Sequence, residues 1–222
     1  MRTEILNYKT EDYPFHIVIS ELIGESLSLA TTGENNFVEA NSFYKNMESV
    51  PLFEKMYSGL GSEQGKSFYL LYEKFIKNII RPQFDESIYY QKKPSHRILF
   101  RDLKGEARFH RDSDYGHEKH EINYWVPQTR AFESNSIWIE SKKGKLDYSP
   151  VNLEVGEYLK FHGAVLSHGA VDNKTDRTRV SFDFRVIRES DFLESLTAKG
   201  ANQYTADNNP VRSNAHTFVK CK

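Results

Sequence analysis

One segment near the end of the chain, residues 179–186, alternates strictly between polar and apolar side chains. Its odd positions carry Arg, Ser, Asp and Arg, and its even positions carry Val, Phe, Phe and Val. Successive side chains of a β-strand point to opposite faces of the sheet, so this strand has one polar and one apolar face. We expect helices to cover the apolar face and the polar face to line the inside of a barrel. The alternative is an apolar core face with the polar face in solvent.

Helical and strand patterns divide the chain at about residue 95. Apolar residues recur three and four apart over residues 63–80, which predicts an amphipathic helix that ends at Pro82. A weaker pattern predicts another helix over residues 20–30. After residue 95, short alternating runs between turn residues predict strands over 97–101, 122–126, 136–140, 157–161 and 179–187.

Helices followed by many strands indicate a mainly β fold with flanking helices, in which a sandwich or barrel is braced by the N-terminal helices on its outer face. A chain of 222 residues fits one domain, residues 1–222. We divide it into a mostly helical part (1–94), a β core (95–188) and a C-terminal tail or flap (189–222).

Composition excludes several classes of protein. The formal net charge is −1, which offers no electrostatic basis for binding nucleic acid or an anionic membrane. Cys221 is the only cysteine, so neither an internal disulfide nor a thiolate metal site can form. The polar start of the chain does not resemble a signal peptide, and no run approaches the roughly 20 apolar residues that span a bilayer. We therefore expect a cytoplasmic protein.

The strongest chemical signal is the order His110-x-Asp112 followed by His168. Two residues apart on a strand, His110 and Asp112 project to the same face and can share one cation. Two imidazoles and one carboxylate with open positions opposite them form the ligand set of non-haem iron(II) oxygenases. His162 is the rival for the third ligand, or it could orient a ligand through its other ring nitrogen.

Other histidines offer a weaker metal hypothesis. His117 and His120 flank Glu118, and a zinc site built from them is conceivable, although no further ligand is evident nearby. We expect these two histidines to lie on the surface.

Arg179 and Ser181 lie eleven or more residues past His168 and share one face of the predicted strand. An arginine can grip a carboxylate with two parallel hydrogen bonds, so this pair suits a dicarboxylic keto acid. Arg177 is the alternative clamp but falls in a predicted turn, and a structural salt bridge is the alternative role for Arg179.

These residues resemble the 2-oxoglutarate/Fe(II)-dependent dioxygenases. The similarity lies in the segments 110–117, 121–129 and 135–140, then Ser167-His168-Gly169, then 176–185. It is densest over residues 97–187, and it is nearest to the streptomycin-biosynthesis-type branch, which is related to phytanoyl-CoA hydroxylase.

The resemblance implies a double-stranded β-helix, the cupin-like jelly roll, that binds Fe(II) and 2-oxoglutarate. It implies that His110, Asp112 and His168 are the catalytic iron ligands, and that Arg179 with Ser181 grips the far carboxylate of 2-oxoglutarate. Members consume O2 and convert the keto acid to succinate while oxidising a substrate C–H bond. Iron halogenases of this superfamily have a small residue at the carboxylate position, so Asp112 implies hydroxylation, desaturation or ring formation.

Further contacts follow from strand alternation. Asn123 is our candidate for a keto-acid contact or for orienting a ligand, and Arg97, Trp138 and Glu140 are candidates for the substrate pocket. Packing or an internal salt bridge is an equal alternative for each of these. A pocket lined by acid and base suits a polar small molecule such as an amino acid, a sugar or an aminocyclitol. The rival functions are a cupin-type sugar isomerase or epimerase and a non-catalytic jelly-roll binding module.

Overall fold

The computed structural model describes residues 3–24, 26–31, 51–101, 109–193 and 217–222. Two antiparallel sheets contain ten strands in these ranges. In chain order the strands are β1 (Glu4–Asn7), β2 (Ile88–Gln91), β3 (Ser95–Leu99), β4 (Ile122–Pro127), β5 (Trp138–Ile139), β6 (Ser149–Pro150), β7 (Glu157–Phe161), β8 (His168–Gly169), β9 (Arg179–Arg188) and β10 (Phe218–Cys221).

The larger sheet has seven strands in the order β1-β7-β4-β9-β2-β10, with β3 also pairing with β9. β2 and β3 follow each other along the same edge of β9, because β3 pairs with residues 179–183 and β2 with residues 186–188. The smaller sheet has the order β6-β5-β8. The fold is therefore mainly β, as the sequence predicts.

Three α-helices lie entirely in the described part of the chain, α1 (Phe15–Ile23), α2 (Pro51–Gly61) and α3 (Lys66–Phe75). Residues 189–193, directly after β9, are also helical. α3 continues as a π-helical turn, Ile76–Ile80, and then a 3-10 turn that contains Pro82, so the predicted helix over 63–80 is confirmed in its main part. The helix predicted over 20–30 is wrong in its bounds. α1 ends before Gly24, whose φ of +73° is the left-handed conformation that terminates a helix.

The two faces of the alternating strand β9 have different surroundings. Its apolar residues Val180, Phe182 and Phe184 are fully buried in the main core together with helical residues. The ring of Phe182 lies 4.9 Å from that of Phe15 in α1 and 5.6 Å from that of Phe68 in α3, measured between centroids. The predicted covering of this face by N-terminal helices is confirmed.

A second, smaller apolar cluster lies away from the helices and contains residues of both sheets. It includes Trp125 of β4, Leu159 and Phe161 of β7, and Ile139 of β5. The polar face of β9 is also withdrawn from solvent, since Arg179 and Arg185 are each 6% exposed and Ser181 is fully buried. The predicted solvent-shielded polar face is therefore present between the sheets.

Several short strands come from parts of the chain where none was predicted. The part predicted to be mostly helical supplies β1 and β2, and the segment predicted as a tail or flap supplies β10, which pairs with β2. The strand predicted over 136–140 is shorter, β5, because Asn135 and Ser136 belong to a turn. None of the described helices has the length and apolar character needed to cross a bilayer.

Candidate metal centre

His110 and His168 lie directly opposite each other in an antiparallel backbone pairing. The His110 N–H donates to the His168 carbonyl at 3.0 Å, and the His168 N–H donates to the His110 carbonyl at 2.9 Å. Residues paired in this way project their side chains to the same face of the ladder. β8, which carries His168, is fixed in turn by pairing with β5, where Ile139 faces His168.

Asp112 completes the cluster from the start of a 3-10 turn, Asp112–Tyr115. Its Oδ1 lies 3.6 Å from Nε2 of His110 and 3.6 Å from Nε2 of His168. His110 and Asp112 thus converge as predicted, but by a bridge followed by a turn and not along one continuous strand. The Asp112 N–H is anchored by donating to the Gly163 carbonyl at 2.8 Å.

The donor atoms suit a divalent transition metal. One donor atom from each of the three residues lies within 4.8 Å of the other two, and no other group in the described ranges meets this condition. His168 Nδ1 is 3.0 Å from the Leu166 carbonyl, which can only accept, so Nδ1 carries the proton and Nε2 keeps its lone pair. Burial also lowers the pKa of His168, which favours the neutral, ligating form.

The second oxygen of Asp112 is occupied by hydrogen-bond donors. Oδ2 accepts from Asn123 Nδ2 at 2.7 Å and from Arg185 Nε and Nη2 at 3.1 and 3.0 Å. Burial raises the pKa of Asp112, but hydrogen bonding to His110 and the charge of Arg185 outweigh it and hold the pKa well below its usual range. The carboxylate is therefore present as an anion, ready to bind a cation.

Arg185 is not among the site residues predicted from the sequence, although its place in the alternating strand could have indicated it. It continues the polar face of β9 that already includes Arg179 and Ser181. Asn123, our candidate for a keto-acid contact or for orienting a ligand, donates from Nδ2 to Asp112 Oδ2. Its own Oδ1 accepts the Gly163 N–H at 3.0 Å, so the amide is held from both ends.

Arg179 and Ser181 are brought together at the opposite end of β9. Arg179 Nη1 donates to Ser181 Oγ at 2.7 Å, and Nε donates to the Asn135 carbonyl at 3.1 Å. Trp125 Nε1 donates to the same Ser181 Oγ at 3.1 Å, and the Arg179 guanidinium lies 5.5 Å from the centre of the Trp125 ring. The alternative clamp, Arg177, is 46% exposed and lies 3.7 Å from Asp176.

The three candidate pocket residues have different surroundings. Arg97 is half exposed and its Nε lies 3.1 Å from Asp183 Oδ1, on the polar side of β9. Trp138 is partly exposed in β5, where its neighbour Ile139, and not Trp138 itself, shares a face with His168.

Glu140 is 1% exposed and accepts the N–H groups of Ser167 at 2.8 Å and Leu146 at 3.1 Å. Its carboxylate therefore fastens the segment that leads into His168.

The other histidines in the described ranges lie outside the cluster. His162 contributes no atom to the metal-ligating group. The surface position expected for His117 is wrong, since its side chain is 8% exposed and its Nδ1 lies 2.7 Å from Glu121 Oε2. His120 is about one third exposed and its Nδ1 lies 3.4 Å from Asp191 Oδ1.

Comparison with known sequences decides the family. The chain is 30% identical to the streptomycin biosynthesis protein StrG of Streptomyces griseus over 187 residues, covering 84% of this chain and 85% of that protein. The chain belongs to the StrG family. A scan against protein-family models gives no match.

Solved structures similar to this StrG-family chain are more distant. The epimerase SnoN from nogalamycin biosynthesis, described as non-heme and alpha-ketoglutarate dependent, shares 14% identity at a TM-score of 0.45, over 72% of this chain and 74% of its own. CytC3 with Fe(II) and alpha-ketoglutarate shares 11% identity at 0.45, over 84% and 74%. The non-heme monooxygenase ThoJ, in its apo form, shares 17% identity at 0.41, and the alignment spans about half of each chain, 51%. At these TM-scores the likeness assigns no chemistry to the StrG-family chain.

Proposed function

We propose that this StrG-family chain is an Fe(II)/2-oxoglutarate-dependent dioxygenase that hydroxylates a polar small molecule. The observation that carries the proposal is the cluster of His110, Asp112 and His168, with both Nε2 atoms 3.6 Å from the same carboxylate oxygen. Two imidazole nitrogens and one carboxylate oxygen are the ligand set of the facial triad. The two antiparallel sheets enclosing a polar face support a jelly roll, and the wider relation to phytanoyl-CoA hydroxylase is part of the same proposal.

The proposed roles of the cluster are to hold iron and to leave one side open to the substrate. His110, Asp112 and His168 would hold the metal, which when bound to 2-oxoglutarate and O2 supplies the oxidising chemistry and leaves succinate. His110 is about one third exposed, whereas Asp112 and His168 are buried, so the cluster is open on the His110 side. Substrate would approach from that side, and the buried side keeps water away from the carboxylate.

Arg179 and Ser181 would hold the far carboxylate of 2-oxoglutarate. The Ser181 Oγ accepts hydrogen bonds from both Arg179 and Trp125. A hydroxyl has two acceptor lone pairs and one donor hydrogen, so the Ser181 proton is left to donate to a carboxylate. Burial strengthens the attraction between the Arg179 guanidinium and an anion, because solvent screening is weak there.

The substrate class rests on the charged side chains beside the cluster. Arg97 and Asp183 form an ion pair that is partly open to solvent on the Arg97 side. Charged groups of both signs suit a polar amino acid, sugar or aminocyclitol. We propose that such a molecule is the partner of this cytoplasmic, single-domain enzyme, and that neither nucleic acid nor a membrane is.

The two rival functions differ in what they consume. A cupin-type isomerase or epimerase would bind metal without a keto acid, and a binding module would convert nothing. The Arg179–Ser181 pair favours the dioxygenase, because neither rival needs a grip for a dicarboxylate.

Succinate release tests the proposal. Purified protein is supplied with Fe(II), O2, 2-oxoglutarate and panels of amino acids, sugars and aminocyclitols, and succinate and products are measured by mass spectrometry. We expect one succinate per product, with a mass gain of one oxygen, and neither product nor succinate with Asp112→Asn. A product formed without consumption of keto acid would overturn the proposal in favour of an isomerase or epimerase.

A further inference from the structure

The two oxygens of Asp112 have entirely different surroundings. Oδ1 faces the two histidine nitrogens, each 3.6 Å away. Oδ2 faces three N–H groups, one from Asn123 and two from Arg185, at 2.7 to 3.1 Å. One oxygen of the carboxylate therefore points into the metal cluster, and the other accepts three hydrogen bonds.

The way Arg185 approaches Asp112 is informative. An arginine paired with a carboxylate often sends one N–H to each oxygen. Here Nε and Nη2 both donate to Oδ2, and this leaves Oδ1 without a guanidinium contact among the described bonds.

Neighbouring carboxylates keep Arg185 in this orientation. Glu121 Oε2 lies 3.8 Å from Nε, and Asp183 Oδ2 lies 3.6 Å from Nη1. The pairing of β4 with β9 places Asn123 directly opposite Arg185, so the amide and the guanidinium reach the same oxygen from adjacent strands. The sheet register therefore fixes Asn123 and Arg185 relative to each other.

We propose that Arg185, together with Asn123, is a positioning residue that restricts Asp112 to binding the metal through Oδ1 alone. The inference rests on the proposed function, because it assumes that the cluster holds a metal. A carboxylate that binds through both oxygens takes two positions on the metal. One that binds through a single oxygen leaves the three open positions that a keto acid and O2 require. Asn123 and Arg185 thus keep space on the metal available.

Loss of the guanidinium has two separable effects. It frees Oδ2 to rotate towards the metal, and it leaves Asp112 and Glu121, which are 3% and 1% exposed, as neighbouring buried anions. The second effect lowers stability, so Arg185→Met is paired with Arg185→Lys, which keeps a positive charge but cannot supply two N–H groups in a rigid fork. Asn123→Ala removes the third donor without changing charge.

The test uses Mn(II) as the probe, without keto acid. Binding is followed by electron paramagnetic resonance, and water molecules coordinated to the bound ion are counted from the relaxation of water protons. The matched control is Arg188→Met, at the exposed end of the same strand. Circular dichroism establishes that each variant is folded.

We expect Arg185→Met and Arg185→Lys to weaken Mn(II) binding by roughly 10- to 100-fold, as changes in groups that orient metal ligands commonly do. We also expect the bound ion to have fewer coordinated waters than in the wild type, which a merely structural role would not produce. Asn123→Ala is expected to shift the water count in the same direction, and Arg188→Met to leave both quantities unchanged.

The possible failures are distinguishable. If the wild type binds Mn(II) and the folded Arg185 variants keep its water count, the positioning role is overturned while the metal site stands. If Arg185→Met does not fold, Arg185→Lys and Asn123→Ala decide in the same way. If the wild type itself does not bind Mn(II), the proposed function fails, and this inference fails with it.

Discussion

Replacing Arg179 by methionine separates keto-acid binding from metal binding. Arg179 shares the polar face of β9 with Arg185, but its hydrogen bonds go to Ser181 and to the Asn135 carbonyl and not to Asp112. A hydrogen bond to a charged group contributes about 1.5–3 kcal/mol. Since about 1.4 kcal/mol corresponds to a tenfold change in affinity, Arg179→Met should weaken 2-oxoglutarate binding by roughly 10- to 150-fold. Metal affinity should change by less than about threefold.

The same substitution has a cost in stability that can be estimated. Asn135 is fully buried, and in the variant its carbonyl loses the hydrogen bond from Arg179 Nε. An unsatisfied buried acceptor costs about 1–3 kcal/mol. In a chain of this size each kcal/mol shifts the melting temperature by about 2–4 °C. Thermal unfolding therefore shows whether the variant is folded at the assay temperature.

Isothermal titration of 2-oxoglutarate into the Mn(II)-loaded protein measures the affinity directly. Arg177→Met is the matched control, because Arg177 is two residues away and 46% exposed. Arg179→Lys keeps the charge but loses the planar fork, and its affinity should fall between those of the wild type and Arg179→Met. A folded Arg179→Met that binds 2-oxoglutarate as tightly as the wild type would refute the clamp, and a loss in Arg177→Met would transfer it to Arg177.

Two predictions concern stability. Phe182→Ala removes a fully buried ring that packs on α1 and α3 and should cost about 3–5 kcal/mol in chemical denaturation, whereas Leu70→Ala, 67% exposed, should cost almost nothing. Burial lowers the pKa of His96 from its ordinary 6.5 to about 4, so the unfolded chain takes up that proton first as the pH falls. Stability should therefore drop by up to about 3 kcal/mol between pH 6.5 and 4, and His96→Phe should reduce this drop. An equally steep pH dependence in a folded His96→Phe would contradict this assignment.

The features that the sequence predicts correctly depend on local periodicity or on spacing. The alternation over residues 179–186 predicts strand β9, with an apolar face against the helices and a polar face on the other side. This works because successive side chains of a strand point to opposite faces. The order His110-x-Asp112 with His168 predicts a cluster that the fold indeed assembles.

The features that the sequence does not predict depend on distant pairing. β1 and β10 are four-residue strands at opposite ends of the chain, and only their partners β7 and β2 fix them in the sheet. The pairing of β4 with β9 places Asn123 opposite Arg185, and both side chains then reach Asp112. This register is not visible in the sequence of either strand alone. His117 belongs to a charged segment that looks exposed, yet its side chain is only 8% exposed and lies in hydrogen-bond contact with Glu121.

The most direct test of the central claim is the visible charge-transfer band that forms when Fe(II) and 2-oxoglutarate bind together without oxygen. We predict the band for the wild type and for a folded His162→Ala, which lies outside the cluster, and its loss in His110→Ala and His168→Ala. A folded wild-type protein that shows no band, or a His168→Ala variant that keeps it, would contradict the account.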